Sequence, residues 1–139
     1  MPYQIVSELT DAQVAELVEL YHNEFWSQQR QLEDVLRMLN ATNLIVGIVD
    51  EQDHLIGFTR ILTDFVYRAL IFDVIVKPSH RGQGLGTLLI DTVVNHPKLQ
   101  AVEYLGLCCL PEMIPFYNRW GFSESADGIR LLFRAHASP

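Results

Sequence analysis

The sequence predicts an α/β fold of the α+β type, with helices packed on a mixed, mainly antiparallel sheet of about seven strands, a central parallel pair and about four helices. Three observations predict it. Two short apolar runs, Leu44–Val49 and residues 55–62, flank the polar turn Asp50-Glu51-Gln52-Asp53, as the arms of a hairpin do. A further run, residues 69–76, is apolar except for Asp73, which places it inside the sheet. A helical stripe and then another apolar run, residues 102–107, follow it. Strand, helix, strand in that order makes a right-handed crossover between parallel strands.

The remaining elements follow from periodicity and punctuation. Residues 3–9 alternate loosely and give a first strand. Thr10 opens a helix, with Gln13 three residues on, the spacing of a capping box. Val14, Leu17, Val18, Tyr21 and Phe25 share one helical stripe, residues 26–30 break it, and Leu32, Val35, Leu36 and Leu39 form a second that ends near Asn40. Pro78 stops the strand at 69–76. Leu85, Leu88, Leu89, Thr92 and Val93 then set the face of a third helix, which ends near Asn95 ahead of Pro97. A short fourth helix covers residues 113–120, with Pro115 confined to its first turn and Gly121 as its cap. Residues 122–125 and 129–134 are expected to close the sheet as a hairpin around Asp127-Gly128. No repeat, low-complexity tract or linker interrupts the chain, so one domain over residues 1–139 is expected.

Composition narrows the function classes. Hydrophobic residues make up 49% and charged residues 19% of the chain, enough for a core and unlike a disordered chain. A net charge of −7 speaks first to solubility, disfavours nucleic acid as a partner and weakly favours cationic small molecules. No stretch approaches the roughly 20 apolar residues of a membrane span. The start Met1-Pro2-Tyr3-Gln4 lacks the basic and apolar regions of a signal peptide. Cys108 and Cys109 are the only two cysteines. A bridge between neighbours would be strained, so they read as reduced, buried thiols in a cytoplasmic protein, and two cysteines alone make no metal site.

The segment Arg81-Gly82-Gln83-Gly84-Leu85-Gly86 carries the strongest chemical signal. It joins a strand to an amphipathic helix, whose first N–H groups have no intrahelical partner and favour an anion. Glycines permit positive φ and close approach of a bulky diphosphate, and Arg81 adds a charge-assisted contact. A P-loop is excluded because no Lys-Ser/Thr follows the last glycine. A dinucleotide fingerprint is excluded by glycines spaced by twos after several strands. The plain alternative is a tight turn with helix packing.

Arg-x-x-Gly-x-Gly in this place resembles the signature of the GNAT superfamily of N-acetyltransferases, and the resemblance covers nearly the whole chain, including Phe116-Tyr117-x-x-x-Gly121-Phe122. The stretch Pro115-Phe116-Tyr117-Asn118-Arg119-Trp120-Gly121-Phe122, with Phe72-Asp73-Val74-Ile75-Val76, is similar to arylalkylamine (serotonin) N-acetyltransferase-like members. The resemblance implies acetyl-coenzyme A as co-substrate, an amine acceptor, no metal, and a monomer or homodimer. It implies direct attack of the amine on the thioester in a ternary complex. The coenzyme would be held by Val74, Ile75, Val76, Arg81, Gly82, Gln83, Gly84, Leu85, Gly86, Thr87, Phe116 and Tyr117. Val74 and Val76 would offer backbone groups to the pantetheine arm, with a bulge freeing an N–H for the thioester oxygen. Tyr117 would serve the departing thiolate, either with a lowered pKa or as a hydrogen-bond donor, and its plain reading is a core aromatic.

The base for the amine is open. Where the resemblance expects Glu or His, this chain has Leu70 and Phe72. Asp73 is a candidate catalytic base, but alternation points it to the face opposite Phe72, and a structural acid is the competing reading. Glu24, His22, Asp64 and relayed water are further candidates. Phe25, Trp26, Arg30 and Tyr67 lie in segments that border the acceptor groove in the family, and packing is the equal alternative. Two other functions remain: acetylation of protein N-termini or lysines, and an acyl-coenzyme A binding module without catalysis.

Overall fold

The computed structural model describes residues 2–124, 128 and 130–136. They fall in two units, Met1–Cys108 and Cys109–Pro139. The first contains β1 (Gln4–Val6), α1 (Asp11–His22), α2 (Leu32–Asn40), β2 (Leu44–Val49), β3 (Leu55–Thr63), β4 (Arg68–Val76), α3 (Leu85–Val94) and β5 (Tyr104–Leu107). The strands form one sheet in the order β1-β2-β3-β4-β5. The pairs from β1 to β4 are antiparallel and β4–β5 is parallel. The sheet is therefore mixed and mainly antiparallel, as expected, with five strands among the described residues.

α1 begins where its sequence says it must. Thr10 Oγ1 accepts from the Gln13 N–H at 3.1 Å, and Gln13 Oε1 accepts from the Thr10 N–H at 3.0 Å, so two otherwise unpaired donors are satisfied reciprocally. Gln13 Nε2 also donates to the Asp53 carbonyl at 2.9 Å, tying the helix start to the β2–β3 turn. In that turn Asp50 Oδ1 accepts the N–H groups of Gln52 and His54, each at 2.9 Å. The His54 bond first of all holds the Asp50 carboxyl below its usual value.

Helices cover both faces of the sheet. Val14, Leu17, Leu20 and Tyr21 of α1 and Val35 of α2 are buried in one cluster with Val49, Leu55, Phe58 and Ile75. α3 crosses β2, β3 and β4 and buries Leu85, Leu89, Ile90 and Val93. The stripe expected to run to Phe25 stops short. α1 ends at His22, and Phe25 is 70% exposed in the connection to α2.

The second unit contains a 3-10 turn (Pro111–Met113) and α4 (Ile114–Asn118). Pro115 stands in the first turn of α4, and Gly121 follows with φ 88°. The expected closing hairpin is not found: residues 122–124 and 130–134 carry no strand, while Ser125, Asp127 and Ile129 lie outside the described residues. Strand preference is set by packing and pairing more than by the residues themselves. Leu131, Leu132 and Phe133 are exposed.

The reciprocal cap predicts that Thr10→Ala lowers stability by about 1 kcal/mol, read as a shift of the urea midpoint at unchanged slope.

Candidate functional site

The site is built around an irregularity in β4. Phe58 pairs with Ile75 and Arg60 pairs with Phe72, so two steps along β3 match three along β4. β4 therefore carries a bulge, and Asp73 sits in it with φ 57°. Aspartate tolerates this left-handed backbone better than most residues, at a cost of roughly 1 kcal/mol. Thr59, buried in β3, turns its hydroxyl to the Phe72 carbonyl at 2.8 Å, which satisfies an oxygen at the disrupted ladder.

The bulge re-aims Asp73. Alternation would send it to the face opposite Phe72, yet its carboxylate meets Arg60, whose guanidinium lies 5.1 Å from the Phe72 ring centroid. Asp73 Oδ2 accepts from Arg60 Nε at 2.6 Å, Arg30 Nη1 at 2.9 Å and Tyr21 Oη at 2.8 Å. Its side chain is 6% exposed. Burial, and then the Asp73 charge and hydrogen bond, push the Tyr21 phenol upward, so Tyr21 is a neutral donor here.

The bulge also marks where β4 loses its outer neighbour. The β4–β5 ladder runs from Arg68↔Tyr104 to Ile71↔Leu107 and stops, while β4 continues to Val76. Residues 72–76 thus present a backbone edge on the β5 side, where an extended ligand can pair. Val74 and Val76 are half-buried on this stretch, and Ile75 packs into the α1 cluster.

That edge leads into the glycine loop. Pro78–His80 makes a 3-10 turn, Gly82 and Gly84 both have φ 80°, and Gly84 precedes α3 as its N-cap. A Cβ at either glycine would meet nothing within 4 Å, so backbone conformation is what requires them. The first intrahelical bond comes from Leu88 N–H to Gly84, so the N–H groups of Leu85, Gly86 and Thr87 lie in the turn that has no intrahelical partner. Leu85 turns its side chain into the core at 3% exposure. Tyr3 donates from its hydroxyl to Gln83 Oε1. Arg81 donates from Nε to the Val76 carbonyl at 3.2 Å and from Nη2 to Glu24 at 3.0 Å.

Phe25, Trp26 and Arg30 come together, with Asp34, around an open cleft of about 420 Å³ beside the start of α2. The Arg30 guanidinium stands 4.5 Å from the Tyr21 ring centroid and 5.4 Å from that of Trp26. Tyr67 is not among the residues lining this cleft; it is 60% exposed in the β3–β4 turn. The other candidate bases have structural partners. His22 Nε2 lies 2.6 Å from the Arg30 carbonyl, and Glu24 is paired with Arg81. Asp64 Oδ1 accepts from the N–H groups of Val66, Tyr67 and Arg68, bonds that hold its carboxyl below the usual range.

In the second unit Tyr117 is 7% exposed on α4, with ring centroids of Phe116 at 5.0 Å and Phe122 at 6.3 Å. Burial first, and then Cys109, push its phenol up to about 12. A lowered pKa, one of the two expectations for this residue, is therefore not what its surroundings produce. Such a shift favours the fold fully below the ordinary value near ~10, and the gain is lost as pH climbs toward 12. Cys108 and Cys109 are exposed, correcting the expectation of buried thiols, and they follow the last residue of β5, Leu107. The desolvation that Cys108 does feel raises its thiol, the opposite of an activated nucleophile.

These features suit a long ligand with an extended polar arm and a diphosphate: a free strand edge, then a left-handed glycine loop, then a helix start. Among the described residues no cluster of His, Cys, Asp or Glu could hold a metal, and no helix is long and apolar enough to cross a membrane.

Comparison with known proteins gives the class. Residues 10–122 match the family model of the Acetyltransferase (GNAT) family, and the chain belongs to that family. Over 121 residues it is 28% identical to the uncharacterized N-acetyltransferase ycf52 of Pyropia yezoensis, covering 85% of this chain and 69% of that protein. It is 30% identical over 105 residues to serotonin N-acetyltransferase 2, chloroplastic, of Oryza sativa subsp. japonica, covering 73% of this chain and 52% of the rice protein. The match to histone acetyltransferase TAP1 of Glycine max, 33% over 84 residues, covers 60% of this chain and 36% of that one. A solved GNAT-family structure from Xanthomonas campestris pv. campestris superposes with a TM-score of 0.83 at 26% identity, covering 96% of this chain and 93% of that one. The family uses acetyl-coenzyme A, and the chain is accordingly an N-acetyltransferase by family.

Sequence reasoning missed Arg60 and the role of Tyr21. A signal existed for Arg60: it is the one charged residue in the run 55–62, as Asp73 is in 69–76, and the two runs are consecutive strands. Opposite charges inside adjoining apolar strands predict a pair. For Tyr21 only its place on the α1 stripe was visible.

Removing the charge from this cluster leaves two guanidiniums without their shared anion. Asp73→Asn keeps the tolerance for a left-handed backbone, so it isolates the charge. It is expected to lose on the order of 2–3 kcal/mol in denaturant unfolding.

Proposed function

We propose that this chain transfers an acetyl group from acetyl-coenzyme A to the primary amine of a small molecule, the two units acting as one acetyltransferase domain. The observation that carries the reading is the free edge of β4 running into the loop at 81–86. Acetyl-coenzyme A supplies an activated thioester: the amine nitrogen bonds to its carbonyl carbon, the C–S bond breaks, and the amine's proton ends on the thiol or in solvent. Val74 and Val76 offer backbone groups to the pantetheine arm, and the bulge at Asp73 frees an N–H toward the thioester oxygen. Gly82, Gln83, Gly84, Gly86 and Thr87, with Arg81, hold the diphosphate at the start of α3. To do so Arg81 exchanges Glu24 for phosphate.

Tyr117, a neutral phenol raised to about 12, serves the departing sulfur by donating a hydrogen bond. Full proton transfer to a thiolate near ~8.5 would be uphill by roughly 5 kcal/mol at ~1.36 per unit. Phe116 packs beside it at 5.0 Å. Asp73 is assigned a positioning role rather than that of base, because its Oδ2 already accepts three donors. The amine loses its proton to water relayed along backbone carbonyls. The acceptor enters the cleft of Phe25, Trp26 and Arg30, whose volume of about 420 Å³ is that of a small-molecule site.

Thiol release from acetyl-coenzyme A, measured across small primary amines and lysine peptides, tests the reading. Turnover of small amines is expected, and turnover of peptides alone overturns it. No turnover, with a melting temperature that acetyl-coenzyme A still raises, would make the chain a binding module. Tyr117→Phe should lower kcat by about a hundredfold while the Kd for coenzyme A stays within about threefold. An unchanged kcat removes Tyr117 from the reaction. Arg81→Ala should weaken coenzyme A by about tenfold, the loss of one charge-assisted contact.

A further inference from the structure

We propose that the acceptor carries an anionic group, a carboxylate or a phosphate, close to its primary amine, and that Arg30 binds that group. The inference rests on the acetyl-transfer reading and specifies the acceptor for the same site.

Charge is the first argument. Arg30 and Arg60 converge on the single carboxylate of Asp73. The third partner, Tyr21, donates a neutral hydroxyl. Two positive groups against one negative leave an excess of one positive charge in this cluster, of which Arg30 reaches the cleft. The other charged residue lining it is Asp34, which is itself 3.5 Å from Arg37. A chain of net charge −7 thus keeps a local positive centre where the acceptor enters.

Geometry is the second. Among the described residues Arg30's side-chain hydrogen bonds all run through Nη1, to Asp73 and to the Met38 sulfur. Among the described residues no fully buried side-chain nitrogen or oxygen lacks a partner, so Arg30's Nε and Nη2 are not fully buried. The side chain is 32% exposed and lines the cleft. One edge of the fork is therefore anchored and another is open. A carboxylate or phosphate matches such an edge with two parallel hydrogen bonds.

Preorganisation is the third. Stacking on Tyr21 and Trp26 and the bond to Asp73 fix the guanidinium before any ligand arrives. Little side-chain entropy remains to be lost on binding. Asp73 is also the bulge residue, next to Val74. Asp73, which Arg30 contacts, is thus adjacent in sequence to the strand stretch assigned to the thioester arm, so the anionic group is expected near the amine. A lysine side chain in a basic peptide offers the wrong sign here.

Matched amines test this. Tryptamine and tryptophan, or ethanolamine and its phosphate ester, differ only in the anionic group. The anionic member of a pair is expected to have kcat/KM at least about tenfold above its neutral partner, the value of one good charge-assisted contact. The carboxylate and phosphate pairs distinguish the two sources. Arg30→Gln should bring that ratio near one, chiefly through KM, and Arg30→Lys should keep part of it. A ratio at or below one in the wild type, with neutral amines turning over, overturns the proposal and leaves the acetyl-transfer reading intact. Titration calorimetry with 3-phenylpropionate, which has no amine, tests the Arg30 site without turnover. Saturable binding weakened by Arg30→Gln supports the proposal even if no amine reacts, and an absence of binding counts against it.

Discussion

The Asp73 carboxylate joins the elements of the first unit that surround the bulge. It takes a phenol from α1, a guanidinium from the connection that precedes α2 and another from β3, while its own backbone forms the bulge of β4. A side chain 6% exposed with three donors cannot be moved without unpairing a buried charge. Each element is therefore held in register against the others at the point where β4 parts from β5. The left-handed backbone at Asp73 is costly on its own, and it persists because the side chain is fixed from three directions. The strand edge and the bulge N–H assigned to the proposed chemistry thus lie beside one charge cluster.

Much of this could be read from the residues, and the rest could not for definable reasons. Thr10 with Gln13 announced α1 because a capping box is a local device. The loop at 81–86 was visible because positive φ at Gly82 and Gly84 demands glycine whatever surrounds it. The orientation of Asp73 was not, because strand alternation fails at a bulge and nothing in the neighbouring sequence marks one. The end of α1 was misjudged at Phe25, since an apolar residue in helical phase continues a stripe on paper whether or not the backbone turns away. The hairpin expected after Phe122 depended on a partner edge, which is a tertiary fact. The exposure of Cys108 and Cys109 has the same origin, as they follow the last paired residue of β5.

A second charge pair links the two halves of the site. Glu24 belongs to the connection that also carries Phe25, Trp26 and Arg30, and it holds Arg81 of the glycine loop. The Arg81 side chain is 54% exposed and its partner 20%, so the pair is screened and weak enough to be exchanged for a phosphate. In the proposed reading a diphosphate at the loop would compete with Glu24 for Arg81.

The two clusters divide the electrostatic work. Arg81 starts neutralised by a half-buried carboxylate and, in the proposed reading, would gain when a more highly charged anion replaces it. Arg30 starts only partly neutralised, because its carboxylate is shared with Arg60, and no rearrangement is needed for it to attract an anion. At Tyr117 the logic is different again. Burial pushes that phenol up to about 12, so in the proposed reaction it would act as a fixed dipole rather than a mobile proton. A site without a Glu or His on β4 can still run acetyl transfer on these terms, because placement and preorganised charge supply what a titrating base would otherwise add.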